Sequence, residues 1–199
     1  MKFCDSEYLK PIINGEIDGN EIRMLIDTGS DYTILNVPKF EIKKNEDGSA
    51  AKDNYGRYKK QKKYLDSTYD DIIRNSYGSF VIDKKGQFIK TTVHGFGDTT
   101  TECRLIILKH FSFESYHFND SYVLLDENGF ASNHDMVLGT SCLRNFSLAI
   151  DYENREIKFE QKTKDLALRY DGITKDSNMI NCGIVLPTDI YLNDYVIDV

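Results

Sequence analysis

Short apolar runs, broken by turn residues, dominate the hydrophobic pattern of this chain. Tyr8 to Ile17 reads as a first strand and Glu21 to Ile26 as a second. Asp18-Gly19-Asn20 between them is a hairpin signal, because Gly and Asn tolerate the positive φ of tight turns. Thr33 to Val37 (TILNV) is a third run, rich in β-branched residues. Strand patterning returns after Gly78: Phe80 to Ile82 and Phe88 to Val93 flank Lys84-Lys85-Gly86, a second hairpin signal. Glu102 to Leu108 and Tyr122 to Leu125 follow, then the short apolar run Met136-Val137-Leu138-Gly139. Ser147 to Tyr152 and Arg155 to Glu160 alternate across Glu153-Asn154 as a further hairpin. The class is mostly β.

Two stretches depart from that pattern. Glu41 to Lys63 holds three Lys-Lys pairs and few large aliphatics, and reads as a solvated loop inserted after the third strand. A short helix follows, capped by Ser67 or Thr68 and running to Asn75, with Asp70 and Asp71 in its first turn and Gly78 past its end. The tail from Lys162 to Val199 is mixed, with one strand-like triplet, Ile184-Val185-Leu186. Residues 1–161 therefore read as one domain with an insertion at about 39–77, and 162–199 as an extension.

Composition narrows the function classes. A formal net charge of −7 argues against nucleic acid or an anionic membrane as the main partner. The four cysteines are far apart, which suits reduced, buried thiols better than a disulfide framework or a zinc site. His94, His110, His117 and His134 show no metal-ligand spacing and read as surface or turn residues, so no metal is expected. Residues 1–10 lack the apolar run of a signal peptide, and a cytoplasmic location is the expectation.

The chemistry concentrates in Met24-Leu25-Ile26-Asp27-Thr28-Gly29-Ser30, where an aspartate ends an apolar strand. Such an aspartate commonly does no more than shape a turn with the following Gly. Val137-Leu138-Gly139, far downstream, is commonly an ordinary strand ending at a turn. Together and in this order, the two resemble the defining pieces of the retropepsin-like aspartic peptidases. Asn14 to Leu35 is similar to that family's opening, Val93 to Leu105 to its flap, and His134 to Phe159 to its closing segment.

The resemblance implies a closed β-barrel of the acid-protease fold with one half-site per chain. The second run would pass beneath the Asp27 loop, where Gly139 permits a close backbone approach. Asp27, Thr28 and Gly29 would be the catalytic loop of a homodimer, with Thr28 bonding across the two-fold axis. Ser30, Asp31, Gly95, Gly97, Asp98, Thr99, Val137, Leu138 and Gly139 would contact a polypeptide substrate or shape its site. No cofactor is implied. Retroviral members place Arg after the second Gly, whereas Thr140-Ser141 stands here, with Arg144 nearby as the candidate partner of Asp31. A dimeric scaffold of the same fold that cleaves nothing is the alternative, since the insertion and tail leave room for a blocked cleft.

Overall fold

The computed structural model describes residues 1–3, 10–95, 99–129, 134–162 and 195–197. In chain order the elements are β1 (Ile12–Ile17), β2 (Asn20–Ile26), β3 (Ile34–Asn36), β4 (Phe40–Ile42), β5 (Lys60–Lys62), α1 (Asp66–Ser76), β6 (Gly78–Asp83), β7 (Lys90–His94), β8 (Thr100–Phe113), β9 (Tyr116–Asp126), β10 (Met136–Leu138), α2 (Thr140–Leu143), β11 (Phe146–Asp151), β12 (Glu156–Gln161) and β13 (Tyr195–Ile197).

Six of these strands close a barrel. β1 and β2 form the expected hairpin, with Asp18 and Gly19 at φ 47° and 79° in its turn. β2 runs parallel to β10, β10 antiparallel to β3, and β3 parallel to β9. The long β8–β9 hairpin follows, and β8 returns to β1 at Glu16–Ser112 and Ile17–Phe111. The closure leaves these six strands without a free edge along the ring. A mostly-β closed barrel is thus what the strand pattern forms, as the resemblance implies.

β8, which contains the strand expected over Glu102 to Leu108, is covered on both faces there. Cys103 to Leu108 is buried without a break, because successive side chains enter two different cores. Ile106 and Leu108 join a large cluster with Ile13, Met24, Phe80 and Leu138; Cys103, Leu105 and Ile107 join a smaller one with Ile34 and Val81. The aromatic residues near His110 are core. Phe111 stacks on Phe118 at 4.4 Å, and Phe113 meets Phe159 of β12 at 4.9 Å, fastening the β11–β12 hairpin to the barrel. Both described cysteines, Cys103 and Cys142, are buried thiols outside any disulfide, and burial pushes the Cys103 thiol up to about 12.

The insertion corrects one sequence reading. Glu41 to Lys63 is an ordered ribbon and not a plain loop. β4 pairs with β5, and bridges Lys44–Ala50 and Lys52–Tyr58 continue it through two tight turns. Both turns follow one scheme, with Gly48 donating to Asn45 O and Gly56 to Asp53 O, each at 3.0 Å. α1 then starts one residue before the earliest expected cap, and Thr68 Oγ1 donates to Leu65 O (3.0 Å). Gly78 is the first residue of β6, packed so tightly on β8 that a Cβ there would lie 1.9 Å from Ile107 O.

Asp70, expected to serve the helix dipole, points into the body. Arg104 of β8, 5% exposed, donates to Asp70 at 2.6 Å and also pairs with Glu127. Its guanidinium lies over Phe80 and Phe88, 4.2 and 4.6 Å from the ring centroids. Lys39 reaches Glu127 at 3.0 Å, so two cations balance two carboxylates where the insertion meets the barrel. β13 adds antiparallel to β6 through Tyr195–Asp83, Val196–Ile82 and Ile197–Val81. The triplet Ile184-Val185-Leu186 lies outside the described residues.

Candidate active site

β2 carries the chain out of the apolar interior, Met24 and Ile26 being buried, and it stops at Asp27. The parallel ladder with β10 extends one step further, since Asp27 N donates to Leu138 O at 3.1 Å. The backbone then turns on the aspartate itself. Gly29 N donates to Asp27 Oδ1 (2.9 Å) and Ser30 N to Asp27 O (3.2 Å). That bond orients the carboxylate and leaves its second oxygen for other partners. Thr28 and Gly29 are exposed. The Ser30 hydroxyl donates to Tyr32 O at 2.8 Å and so shapes the loop.

β10 runs under this loop, between β2 and β3. Gly139 follows it in extended backbone, with φ −90° and ψ −177°, a conformation open to any residue. The need for Gly is therefore steric: a Cβ would lie 2.1 Å from Tyr32 O and 2.8 Å from Ser30 O. The next residues hold the loop from below. Thr140 N donates to Ser30 O (2.7 Å) and Ser141 N to Asp31 O (3.1 Å). Thr33 N donates to Ser141 Oγ (2.9 Å), and the two hydroxyls are 3.0 Å apart in the buried interior. Thr140 and Ser141, which stand where retroviral members carry Arg, thus anchor the segment from Ser30 to Thr33 by its backbone.

Above the loop, β7 and β8 pair from Lys90–Arg104 to His94–Thr100, and Gly95 N donates to Thr99 O at 2.7 Å. This is the hairpin expected to form a flap. Gly97 and Asp98 lie outside the described residues. Between the hairpin and the Asp27 loop is a cavity of about 830 Å³. Asp27, Gly29, Ser30, Asp31 and Val137 line it on one side, and Thr92 to Gly95 on the other. Asn36, Thr101 and Asp126 also line it. Thr101 Oγ1 donates to Asp126 Oδ1 (3.2 Å), so a buried polar pair ties the root of the hairpin to the end of β9. Leu138 is fully buried and serves through its carbonyl.

Sequence reasoning missed Lys10, Tyr32 and Ile34 in this lining; Ile34 owes its place to pairing with the distant β10 and β9, while Lys10 and Tyr32 flank the strands β1 and β3. His134 needs a correction. Read as a surface or turn residue, it is only 9% exposed and lines the cavity with Asp27. Burial, reinforced by the charge of Lys10, holds its pKa below the ordinary 6.5. The unfolded chain thus binds more protons than the folded one just below that value. Stability rises with pH through this window, and well above pH 6.5, where the histidine is neutral in both states, it contributes no further pH dependence. Melting temperature should fall between about pH 7 and pH 5 more steeply for wild type than for His134→Asn. Parallel profiles would remove this linkage.

Among the described residues no group of His, Cys, Asp or Glu is arranged to hold a metal ion, and no helix is long and apolar enough to cross a membrane. No protein-family model matches the chain, and no curated protein matches it. Among solved structures it is similar to a retropepsin-like aspartic protease from Rickettsia conorii. The two share 13% identity over 70% of this chain and 75% of that one, with a TM-score of 0.38.

Proposed function

We propose that the protein is an aspartic endopeptidase whose catalytic pair is formed by Asp27 from each of two identical chains. The observation that carries this reading is the crossing of β10 beneath the Asp27 loop. It holds a carboxylate at the mouth of a large cavity with its backbone bonded on both sides. Among the described residues lining that cavity, Asp31 and Asp126 are the other carboxylates. Asp126 is buried on Thr101, and Asp31 is held by its carbonyl beyond the turn. Neither repeats the setting of Asp27, so a second Asp27 is the natural partner, supplied by a two-fold axis.

The chemistry follows from that pairing. Two carboxylates in contact share one proton, since both cannot ionise cheaply side by side. The ionised one takes a proton from water as it attacks the scissile carbonyl. The protonated one donates to the carbonyl oxygen and later, through the same pair, to the leaving amine. In this reading Thr28 bonds across the axis, Gly29, Ser30 and Asp31 align the substrate backbone, and Val137 walls a side-chain pocket. The hairpin from Val93 to Leu105, including Gly95, Gly97, Asp98 and Thr99, closes over the peptide and excludes water. No cofactor takes part.

The test is digestion of a complex peptide library by purified protein from mildly acidic to neutral pH, read by mass spectrometry. New termini are expected with wild type and none with Asp27→Asn. Termini that survive the substitution would assign cleavage elsewhere, and silence from wild type would leave a scaffold of the same fold.

A further inference from the structure

The ribbon from Phe40 to Lys63 has a surface unlike the rest of the molecule. It carries eight Lys and Arg against four Asp and Glu, in a chain whose net charge is −7. Three of its four acids are engaged locally. Asp53 accepts from Arg57 (2.8 Å), Asp47 from Ser49 (2.6 Å), and Glu41 from Gln61 (2.8 Å). Its large apolar side chains face solvent: Phe40 is 36% exposed, Ile42 46%, Tyr55 83% and Tyr58 55%. Only Leu65, just after the ribbon, and Tyr152 complete the set of exposed large hydrophobics among the described residues. Lys52 and Arg57 sit over the Tyr58 and Tyr55 rings, at 5.0 and 5.2 Å, so cations and ring faces are interleaved.

Its root matters as much as its charge. The ribbon leaves the body three residues after Asn36, which lines the cavity. Val37 N and Lys39 N are bonded to Asp126 O and Glu127 O. β3 runs away from the Asp27 loop to reach that point, so the ribbon is rooted just past Asn36 and beside the end of β9, whose Asp126 also lines the cavity.

We infer that the ribbon is an exosite for acidic stretches of the polypeptide substrate, lying outside the residues that the cleft itself holds. The inference rests on the peptidase reading for its substrate class. Charge complementarity selects an acidic chain, and the exposed rings give apolar contact of the kind side chains and backbone use. A nucleic acid or anionic membrane fits less well, because either extends past the ribbon and would face the strongly acidic remainder of the protein, whereas a short acidic stretch of polypeptide need meet only the ribbon.

The test uses full-length Asp27→Asn protein, so that nothing is cleaved, and a labelled twelve-residue peptide of alternating Glu and Gly. Controls are the matching Lys-Gly peptide, a single-stranded oligonucleotide of equal charge and vesicles containing phosphatidylserine. The Glu-Gly peptide should bind, weaken with added salt, and lose about tenfold in affinity when Lys59, Lys60, Lys62 and Lys63 are replaced by Ser. Affinity unchanged by those substitutions overturns the exosite. Tighter binding of the oligonucleotide or vesicles overturns the choice of polypeptide. In the active protein, the ratio of cleavage of acid-flanked to neutral substrates should fall toward one with the same substitutions. The binding arm stands or falls without catalysis, so failure of the peptidase reading stays distinguishable from failure of the exosite.

Discussion

Mixing wild-type protein with its Asp27→Asn variant should reduce peptidase activity more than in proportion to dilution. Asn keeps the shape of the side chain and the oxygen that accepts from Gly29 N, so the loop and its bonds to Leu138 O and Asp27 O survive. What it removes is the ionisable group. Loss of the acid and base of a shared-proton pair should lower turnover by at least about a thousandfold. If one aspartate comes from each chain, dimers with a single Asp27 are also disabled. After exchange at equal amounts, about one quarter of dimers keep two aspartates. Activity should drop to about that fraction of the undiluted wild type. A fall to one half would mean that each chain works alone and that the dyad is wrong.

Gly139→Ala should be among the most damaging single-methyl additions in the molecule. The new Cβ would sit 2.1 Å from Tyr32 O, 2.5 Å from Tyr32 C and 2.8 Å from Ser30 O. All three are backbone atoms, and they cannot swing aside. Ser30 O is bonded to Thr140 N, and Thr33, next along the chain, is held by Ser141 Oγ and by Leu124 N. Relief requires lifting the loop away from β10, which strains the Asp27 N bond to Leu138 O as well. We expect a loss on the order of 3 kcal/mol in urea unfolding, with activity lost even where the fold persists. Gly29→Ala is the control. Its Cβ meets only Asp27 Oδ1, at 3.3 Å, so stability should change by less than about 1 kcal/mol. Equal stability losses from the two substitutions would show that the crossing does not set the geometry of the site.

These two glycines also mark how far the sequence can be read. The reading of Asp27-Thr28-Gly29 as a catalytic loop came from the resemblance it makes together with Val137-Leu138-Gly139. What was legible in the triplet by itself is local, an acid at the end of an apolar strand followed by a residue able to turn. The β1–β2 hairpin was legible for the same reason, through Asp18-Gly19. Met136 to Gly139 was visible as a strand, but a short apolar run ending in Gly carries no address. Its place between β2 and β3 is a relation among segments far apart in the chain.

Where the pattern misled, burial explains it. The β8–β9 hairpin was seen only in part because β8 is covered on both faces, and its turn at Glu114 (φ 51°) lacks the Gly that usually signals one. The β4–β5 ribbon failed in the opposite way: solvent on both faces leaves no alternation to read, although its two Gly turns are plain in hindsight. Asp70 looked like a helix-end acid until β8 brought Arg104 to it.

By itself, then, the sequence determined the strand class, the first hairpin and the identity of the candidate catalytic acid. The first two follow from backbone preferences and alternation within a few residues, and the third from the resemblance that Asp27-Thr28-Gly29 and Val137-Leu138-Gly139 make together. Barrel closure, the steric need for Gly139, the burial of His134 in the cavity that Asp27 lines and the rooting of a basic ribbon just past Asn36 were decided only in three dimensions. They depend on which distant strands pair, and pairing is chosen by the apolar surface the whole chain buries together.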